Sequence, residues 1–250
     1  MPTQRQQLVN DEIYHVVLRA VGGSVIFNDE NDFYRGIFSL YEFNNKNPVN
    51  IWLRRQQRKA EKLKENIIAG SDPAIILQGL TPQGTPERDL LVEILAFCFM
   101  PNHIHLVLKQ LKDNGISQFI QKVGTGYAVY FNNKYERKGH LFNRFKAIHI
   151  KTNEQLQNVF VYVHVNPLSL IEPGWKENGI KDSDKAIKFL EEEYRWSSYF
   201  DFIEKKNFPS LIIKEIFLSI MGEEFGCKEA VKNWIIYKTG LKNFSDIILE

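Results

Sequence analysis

The sequence predicts an α+β fold in which helices cover an antiparallel sheet. Two observations carry this prediction. Strand-forming residues cluster or alternate with polar ones in four places, and three intervening stretches carry apolar residues at helical spacing. Their order along the chain is strand, helix, strand, strand, helix, strand, helix, which is typical of helices segregated onto an antiparallel sheet.

The first elements lie before residue 44. Residues 13–21 (IYHVVLRAV) predict the first strand, and Gly22-Gly23 predicts the turn that follows it. A helix is expected from about Asp29. The residues of its apolar stripe are Phe33, Ile37, Leu40 and Tyr41.

The stretch 44–88 interrupts this pattern. It contains a highly charged helical segment (RRQQRKAEKLKENI) and then a segment rich in Gly and Pro. We interpret it as a polar insertion into a domain that spans residues 1–170. The basic residues of its helix are either a solvated face or a contact to nucleic acid.

The stretch FMPNHIHLVLK, residues 99–109, follows a run of strand formers at 90–99 and predicts a hairpin that turns at Pro101-Asn102. Successive side chains of a strand point to opposite faces, so His103 and His105 share one face. The pair forms either a pincer of two imidazoles or two satisfied polar groups on a half-buried face.

The second half of this domain predicts a helix over 114–132, a strand over 144–151 and a further helix after Thr152. Thr152 and Gln155 have the spacing of a capping box. In this last helix, Tyr162 and Asn166 are i, i+4 neighbours on one flank of the apolar stripe, and His164 lies on the other flank. The alternative is a Tyr at the core boundary and an Asn that ends the helix before Pro167.

Composition narrows the classes of protein. The chain has 250 residues, 44% of them hydrophobic, which suffices for one sizeable core. It shows neither an apolar leader nor a run that could span a bilayer, so a cytoplasmic protein without membrane contact is expected. Its two cysteines suggest neither a disulfide framework nor a CxxC metal site.

Charge is distributed unevenly, although the net charge is only +2. The segment 134–151 carries six basic residues against one acidic residue, an excess of five positive charges. Aromatic residues are interleaved with them, which suits a phosphate backbone and splayed bases. The DNA-binding candidates are Arg137, Lys138, Arg144 and Lys146. The alternative is a solvated basic loop.

Four motifs in register resemble the IS200-like single-tyrosine transposases of the HUH class, and most closely the repetitive-element-associated tyrosine transposases. The matching stretches are Tyr14-His15-Val16, Met100-Pro101-Asn102-His103-Ile104-His105-Leu106, Tyr162-Val163-His164-Val165-Asn166-Pro167 and Tyr194-Arg195-Trp196-Ser197-Ser198-Tyr199. Two positions depart from the family pattern. Ala20 stands where the family has Gly, and Phe142 stands where it commonly has Trp.

The resemblance implies a ferredoxin-like sheet and a substrate of single-stranded or hairpin DNA. It also implies that His103 and His105 bind a divalent cation, that Tyr162 is the nucleophile and that Asn166 is a third ligand. The cation is Mg²⁺ or Mn²⁺, and two imidazoles favour Mn²⁺ on ligand chemistry. Attack by tyrosine would give a 5′-phosphotyrosine and a free 3′-hydroxyl, from which the strand can be rejoined.

Two other functions remain open at this point. A nucleic-acid-binding protein that does not cut would use the same sheet and basic loop. A Zn²⁺ hydrolase built on His103 and His105 lacks an evident third ligand and leaves Tyr162 unexplained. A mostly helical extension over 171–250 is expected, and its role is open, as is the choice between a monomer and a homodimer.

Overall fold

The computed structural model describes residues 7–49 and 88–239. Within these ranges the main elements form the order β, α, β, β, α, β, α, as the sequence predicts. They are β1 (Ile13–Arg19), α1 (Glu30–Phe43), β2 (Val92–Met100), β3 (His103–Gln110), α2 (Gly115–Lys134), β4 (Lys146–Ile150) and α3 (Asn153–Val165). Further helices follow toward the C-terminus. They are α4 (Trp175–Asn178), α5 (Ser183–Lys188), α6 (Tyr199–Phe202), α7 (Glu215–Met221) and α8 (Glu223–Lys238).

The four strands form one antiparallel sheet in the order β2-β3-β1-β4. Strand β3 lies between β1 and β2, and β1 lies between β3 and β4, so the units β1-α1-β2 and β3-α2-β4 interlock. This is the ferredoxin-like arrangement. The predicted fold class is therefore confirmed. The β2–β3 hairpin pairs Met100 with His103 across the two-residue turn, as its Pro-Asn chemistry predicts.

Local sequence explains where the helices begin. The Asp29 side chain accepts a hydrogen bond from the backbone N–H of Asp32, and the Thr152 side chain accepts one from Gln155 N–H. The Gln155 side chain accepts from Lys151 N–H at 2.8 Å, so its reciprocal bond goes to the residue before the N-cap and not to Thr152 itself, as a capping box would have it. Helix α3 starts at the residue after Thr152.

The first strand ends two residues earlier than predicted. Ala20 continues only as an isolated antiparallel bridge to Phe142, and the chain then turns at Gly22 and Gly23, whose φ angles are 64° and 68°. Such angles suit residues without a Cβ atom. The bridge also makes neighbours of the two positions at which the chain departs from the family pattern.

The two faces of the sheet have different coverings. Helices α1 and α2 lie on one face, where Gly36 of α1 lies against the Phe99 ring and Gly124 of α2 lies near Leu18. Helix α3 covers the opposite face. The odd-numbered residues of β1 and the histidines of β3 point toward α3, since His105 pairs with Val17 and His103 with Arg19.

The C-terminal region packs on the outer edge of β2. Phe99 N–H donates to Trp196 O at 2.9 Å, and Ser198 N–H donates to Phe97 O at 3.0 Å. Further along, Ile213 N–H donates to Ile94 O at 2.9 Å. Buried apolar side chains from both sides of residue 170 form one cluster, and the predicted division at that residue stays a prediction.

Two predictions concern residues outside the ranges 7–49 and 88–239. Most of the predicted insertion at 44–88 lies outside the described residues, as do residues 240–250 of the predicted C-terminal extension. No helix within 7–49 and 88–239 combines the length and apolar character that a bilayer crossing requires.

Candidate active site

The predicted pincer of imidazoles is present at the start of β3. The Nε2 atoms of His103 and His105 lie 3.0 Å apart, and the two rings meet edge to face with centroids 4.8 Å apart. His103 is half-buried, whereas His105 is only 2% exposed. The nearest atoms of the pair are therefore two ring nitrogens, which can take a metal ion when neither carries a proton.

A side chain of the turn fixes the orientation of His103. The Asn102 amide Nδ2 donates to Gly23 O at 3.3 Å, which directs its Oδ1 toward His103 Nδ1 at 2.6 Å. An amide oxygen only accepts hydrogen bonds, so His103 carries its proton on Nδ1. Its Nε2 is then a lone pair that faces His105.

A third histidine, to which the sequence pattern assigns no role beyond its place in the Tyr14-His15-Val16 motif, joins the pair. His15 on β1 is 1% exposed, and its Nε2 lies 3.0 Å from His105 Nδ1. The two rings are stacked with centroids 5.2 Å apart. Strand alternation shows which face His15 occupies, but only the register of β1 against β3 shows that it meets His105.

Tyr162 of α3 closes the site from above the sheet. Its half-buried ring lies edge to face against both His15 and His105, with centroid distances of 5.7 and 5.6 Å. The helix periodicity predicts Tyr162 at the border of the buried face, and the packing of α3 on the sheet brings it to the histidines. The candidate nucleophile and the candidate metal ligands thus share one site.

Asn166 lies next to Tyr162, as the i, i+4 spacing predicts, and is 4% exposed. Its Nδ2 donates to the backbone carbonyl of Tyr162 at 2.7 Å. Within the described ranges it makes no hydrogen bond to either histidine of the pair. The same ranges contain no group of three or more His, Cys, Asp or Glu side chains arranged to hold a metal ion. The ligand role of Asn166 stays a prediction.

Burial keeps the three imidazoles neutral. Desolvation lowers the pKa of His15 to about 4. The pKa of His103 is lowered to about 4 by desolvation and by the positive charges of Arg19 and Lys176. His105 has its pKa lowered well below the usual value by desolvation first and then by the other two histidines and the same two cations. Neutral imidazole is the form that ligates a metal.

Two basic side chains give the site a positive field. Lys176 of α4 places its ammonium 5.5 Å from the centroid of the Tyr162 ring. Arg19, at the end of β1, pairs in register with His103 and is exposed. Positive charges at this place attract the phosphate groups of a nucleic acid. The C-terminal region thus contributes a cation beside the candidate nucleophile.

His164 lies away from this cluster, on the other flank of α3 as predicted. It is fully buried, and its Nε2 lies 2.8 Å from Ser198 Oγ. Desolvation lowers its pKa to about 3. The contact ties α3 to the segment that covers the edge of β2, so His164 has a structural role.

The basic segment divides into engaged and exposed cations. Lys134 is ion-paired at 2.7 Å with both Asp29 and Asp32, and Arg137 is half-buried and donates to His140 O at 3.0 Å. Lys138, Arg144 and Lys146 are exposed. No ion pair within residues 7–49 and 88–239 engages these three.

Two of the interleaved aromatic residues direct their hydroxyl groups toward a buried carboxylate. The hydroxyl groups of Tyr130 and Tyr135 donate to Asp32 at 2.9 and 2.7 Å. Asp32 is fully buried, and it also accepts from Lys134 and from Asn28 N–H. These two tyrosines therefore hold the base of the segment together, and their hydroxyls face a carboxylate instead of solvent.

Comparison with known proteins places this site in a family context. Residues 86–166 match the family described as "Transposase IS200 like". One similar solved structure is described as "Structure of the REP associates tyrosine transposase bound to a REP hairpin". The two sequences are 12% identical, and the superposition covers 86% of this chain and 93% of the chain in that structure, with a TM-score of 0.44. No curated protein matches the chain.

The matched segment contains His103, His105, Tyr162 and Asn166, and it ends at Asn166. His15 lies outside it. Residues 86–166, about a third of the chain, are thus similar to the IS200-like transposases, which confirms the resemblance that the motifs predict.

Proposed function

We propose that this protein cleaves single-stranded or hairpin DNA and rejoins the strands through a covalent bond to Tyr162. The observation that carries the proposal is the contact of the Tyr162 ring with His105, within a segment that matches the IS200-like transposases. A tyrosine hydroxyl beside a pair of convergent imidazoles is an arrangement suited to phosphoryl transfer.

The donor set fits a divalent cation. The Nε2 atoms of His103 and His105 lie 3.0 Å apart, and two lone pairs at that distance repel one another. A cation or a shared proton between the two nitrogens removes this repulsion. His103 and His105 would hold the ion, and we propose the side-chain oxygen of Asn166 as a third ligand. Mn²⁺ accepts imidazole more readily than Mg²⁺ does. When bound, the cation supplies polarisation of the scissile phosphate.

The covalent step is a displacement at phosphorus. Tyr162 Oη forms a bond to the phosphorus and loses its proton, while the bond from phosphorus to the 3′-oxygen breaks and that oxygen gains a proton. The products are a 5′-phosphotyrosine and a 3′-hydroxyl. The Lys176 ammonium, 5.5 Å from the centroid of the Tyr162 ring, favours the step by attracting the negatively charged phosphate to the tyrosine.

The reverse step needs no nucleotide cofactor. The phosphotyrosine retains the energy of the phosphodiester bond, so a 3′-hydroxyl from the same or another strand can attack it and release Tyr162. Strand transfer thus follows from the same residues as cleavage. Lys138, Arg144 and Lys146 are proposed to hold the DNA backbone during both steps.

The test is capture of the covalent species. Wild-type protein is incubated with Mn²⁺ and single-stranded DNA from the flanks of its own gene, and the adduct is resolved on a denaturing gel. Tyr162→Phe should fold and bind DNA but form no adduct, because it lacks only the attacking oxygen. Tyr237→Phe, at an exposed position of α8, is the matched control and should form adduct as the wild type does.

The result also separates the proposal from its main alternative. A protein that only binds DNA would show binding in every variant and adduct in none. Peptide mapping of the adduct to a tyrosine other than Tyr162 would assign the nucleophile elsewhere and overturn its proposed role.

A further inference from the structure

The three site histidines form one continuous chain of ring contacts that ends inside the protein. His103 Nε2 lies 3.0 Å from His105 Nε2, and His105 Nδ1 lies 3.0 Å from His15 Nε2. The last atom of the chain, His15 Nδ1, is buried and has no hydrogen-bond partner among residues 7–49 and 88–239. The chain therefore begins at Asn102, which fixes His103, and ends at an unpaired ring nitrogen.

Proton counting gives one arrangement for this chain in the absence of a cation. Each neutral imidazole has a single N–H. His103 donates from Nδ1 to Asn102, so its Nε2 accepts from His105 Nε2–H. His105 Nδ1 then has a lone pair and accepts from His15 Nε2–H. The unpaired atom, His15 Nδ1, is an acceptor.

A bound cation requires the opposite arrangement at two of the three rings. His105 Nε2 must present its lone pair to the ion, so its proton has to sit on Nδ1. His15 Nε2 must then accept that N–H, and the proton of His15 has to sit on Nδ1. No proton is gained or lost overall, because each ring keeps one. The His15 Nε2 proton passes to His105 Nδ1, His105 Nε2 releases its proton to solvent, and His15 Nδ1 takes one up.

We propose that His15 is a positioning residue that selects the metal-binding tautomer of His105 and holds its ring by accepting the Nδ1–H. This inference rests on the proposed function, since it assumes that the histidine pair binds a cation. Histidines that ligate metals commonly donate their other N–H to a fixed acceptor, which orients the ring and raises its basicity. Asn102 is the fixed acceptor for the Nδ1–H of His103, and His15 is the fixed acceptor for the Nδ1–H of His105.

The experiment measures Mn²⁺ affinity without DNA, from the electron paramagnetic resonance signal of free Mn²⁺. His15→Phe keeps a ring but removes the acceptor, and we expect it to weaken Mn²⁺ binding about 10- to 100-fold. His15→Gln retains an amide oxygen that can accept the N–H, and it should keep most of the wild-type affinity. His149→Phe is the control, because that ring stacks on Tyr14 and lies outside the chain of contacts.

The outcomes separate this inference from the proposed function. Unchanged affinity in a folded His15→Phe variant would overturn the role of His15. A wild-type protein that binds no Mn²⁺ would overturn both proposals. Weakened binding in His15→Phe together with rescue in His15→Gln supports His15 even if no DNA adduct forms, and the missing adduct would count against the proposed function alone.

A second measurement covers the case in which His15→Phe does not fold. Nitrogen-15 chemical shifts distinguish protonated from bare ring nitrogens in the wild-type protein. We expect the His15 proton on Nε2 in metal-free protein and on Nδ1 after addition of Zn²⁺, a diamagnetic probe. The same His15 tautomer under both conditions would refute the proposed tautomer change.

Discussion

Replacing Lys138, Arg144 and Lys146, three exposed cations of the basic segment, by Gln should flatten the salt dependence of DNA binding. Among the four predicted DNA contacts, these three side chains are exposed and Arg137 is half-buried. Lys134 is held by two aspartates, and the Arg137 guanidinium donates to Asn132 Oδ1 of α2 and to His140 O of the loop. Only side chains that reach phosphates release counterions when DNA binds.

The size of the effect follows from the number of available cations. A contact to single-stranded DNA contributes about 0.7 to the slope of log affinity against log salt, so three contacts contribute about 2. Between about 50 and 200 mM salt, the wild type should therefore lose about 20-fold more affinity than the triple variant. Replacing Arg137 as well should reduce the slope further only if its loop opens when DNA binds.

Fluorescence anisotropy with a labelled single-stranded oligonucleotide, repeated over a series of salt concentrations, gives the slope. The matched control replaces Lys185, Lys188 and Lys206, which are also exposed lysines but belong to the C-terminal region. The control should keep the wild-type slope. An unchanged slope in the triple variant, or an equal change in the control, would show that these three cations do not contact the DNA backbone.

Three further predictions concern the site and the fold around it. Replacing His103 and His105 together by Ala, which offers no ligand atom, should abolish Mn²⁺ binding and Mn²⁺-dependent cleavage, and persistent cleavage would contradict their role as ligands. Asp32→Asn should lower the free energy of unfolding by roughly 3 kcal/mol at neutral pH, because it breaks a buried charged network. Burial would raise the pKa of Asp32, but hydrogen bonds from Lys134, two tyrosines and a backbone N–H outweigh it and hold the pKa below the ordinary 3.8. The advantage of the wild type over Asp32→Asn in urea denaturation should therefore be present above pH 3.8 and disappear as the pH falls through the lower folded pKa. Gly36→Ala should reduce stability by about 1–3 kcal/mol, seen as a lower Tm, because its Cβ would overlap an aromatic ring of β2.

The strands and the first three helices are predictable because each depends on residues close together in sequence. Alternation places His103 and His105 on one face, helical spacing places Tyr162 beside Asn166, and Thr152 marks a helix start. Such signals are local. They also remain correct where the observed end of an element differs from the predicted one, as at β1, which ends at Arg19.

The rest of the site depends on contacts between distant parts of the chain. His15 meets His105 across 90 positions, and only the strand register brings the two nitrogens together. Lys176 reaches Tyr162 from a four-residue helix in a region without a clear periodic pattern. The ion pair between Lys134 and buried Asp32 likewise cannot be predicted from the net charge of the segment, because that count treats every lysine alike.

The hydrogen bonds along the outer side of β2 have a consequence for solubility. An uncovered edge strand offers unpaired N–H and C=O groups to another sheet, which promotes aggregation or strand exchange between copies. Here the segments around Ser197 and Ile213 occupy that edge at Phe97, Phe99 and Ile94. Removing the chain after residue 190 would expose a long apolar edge, so a truncated protein should self-associate even though it retains every proposed ligand and the proposed nucleophile.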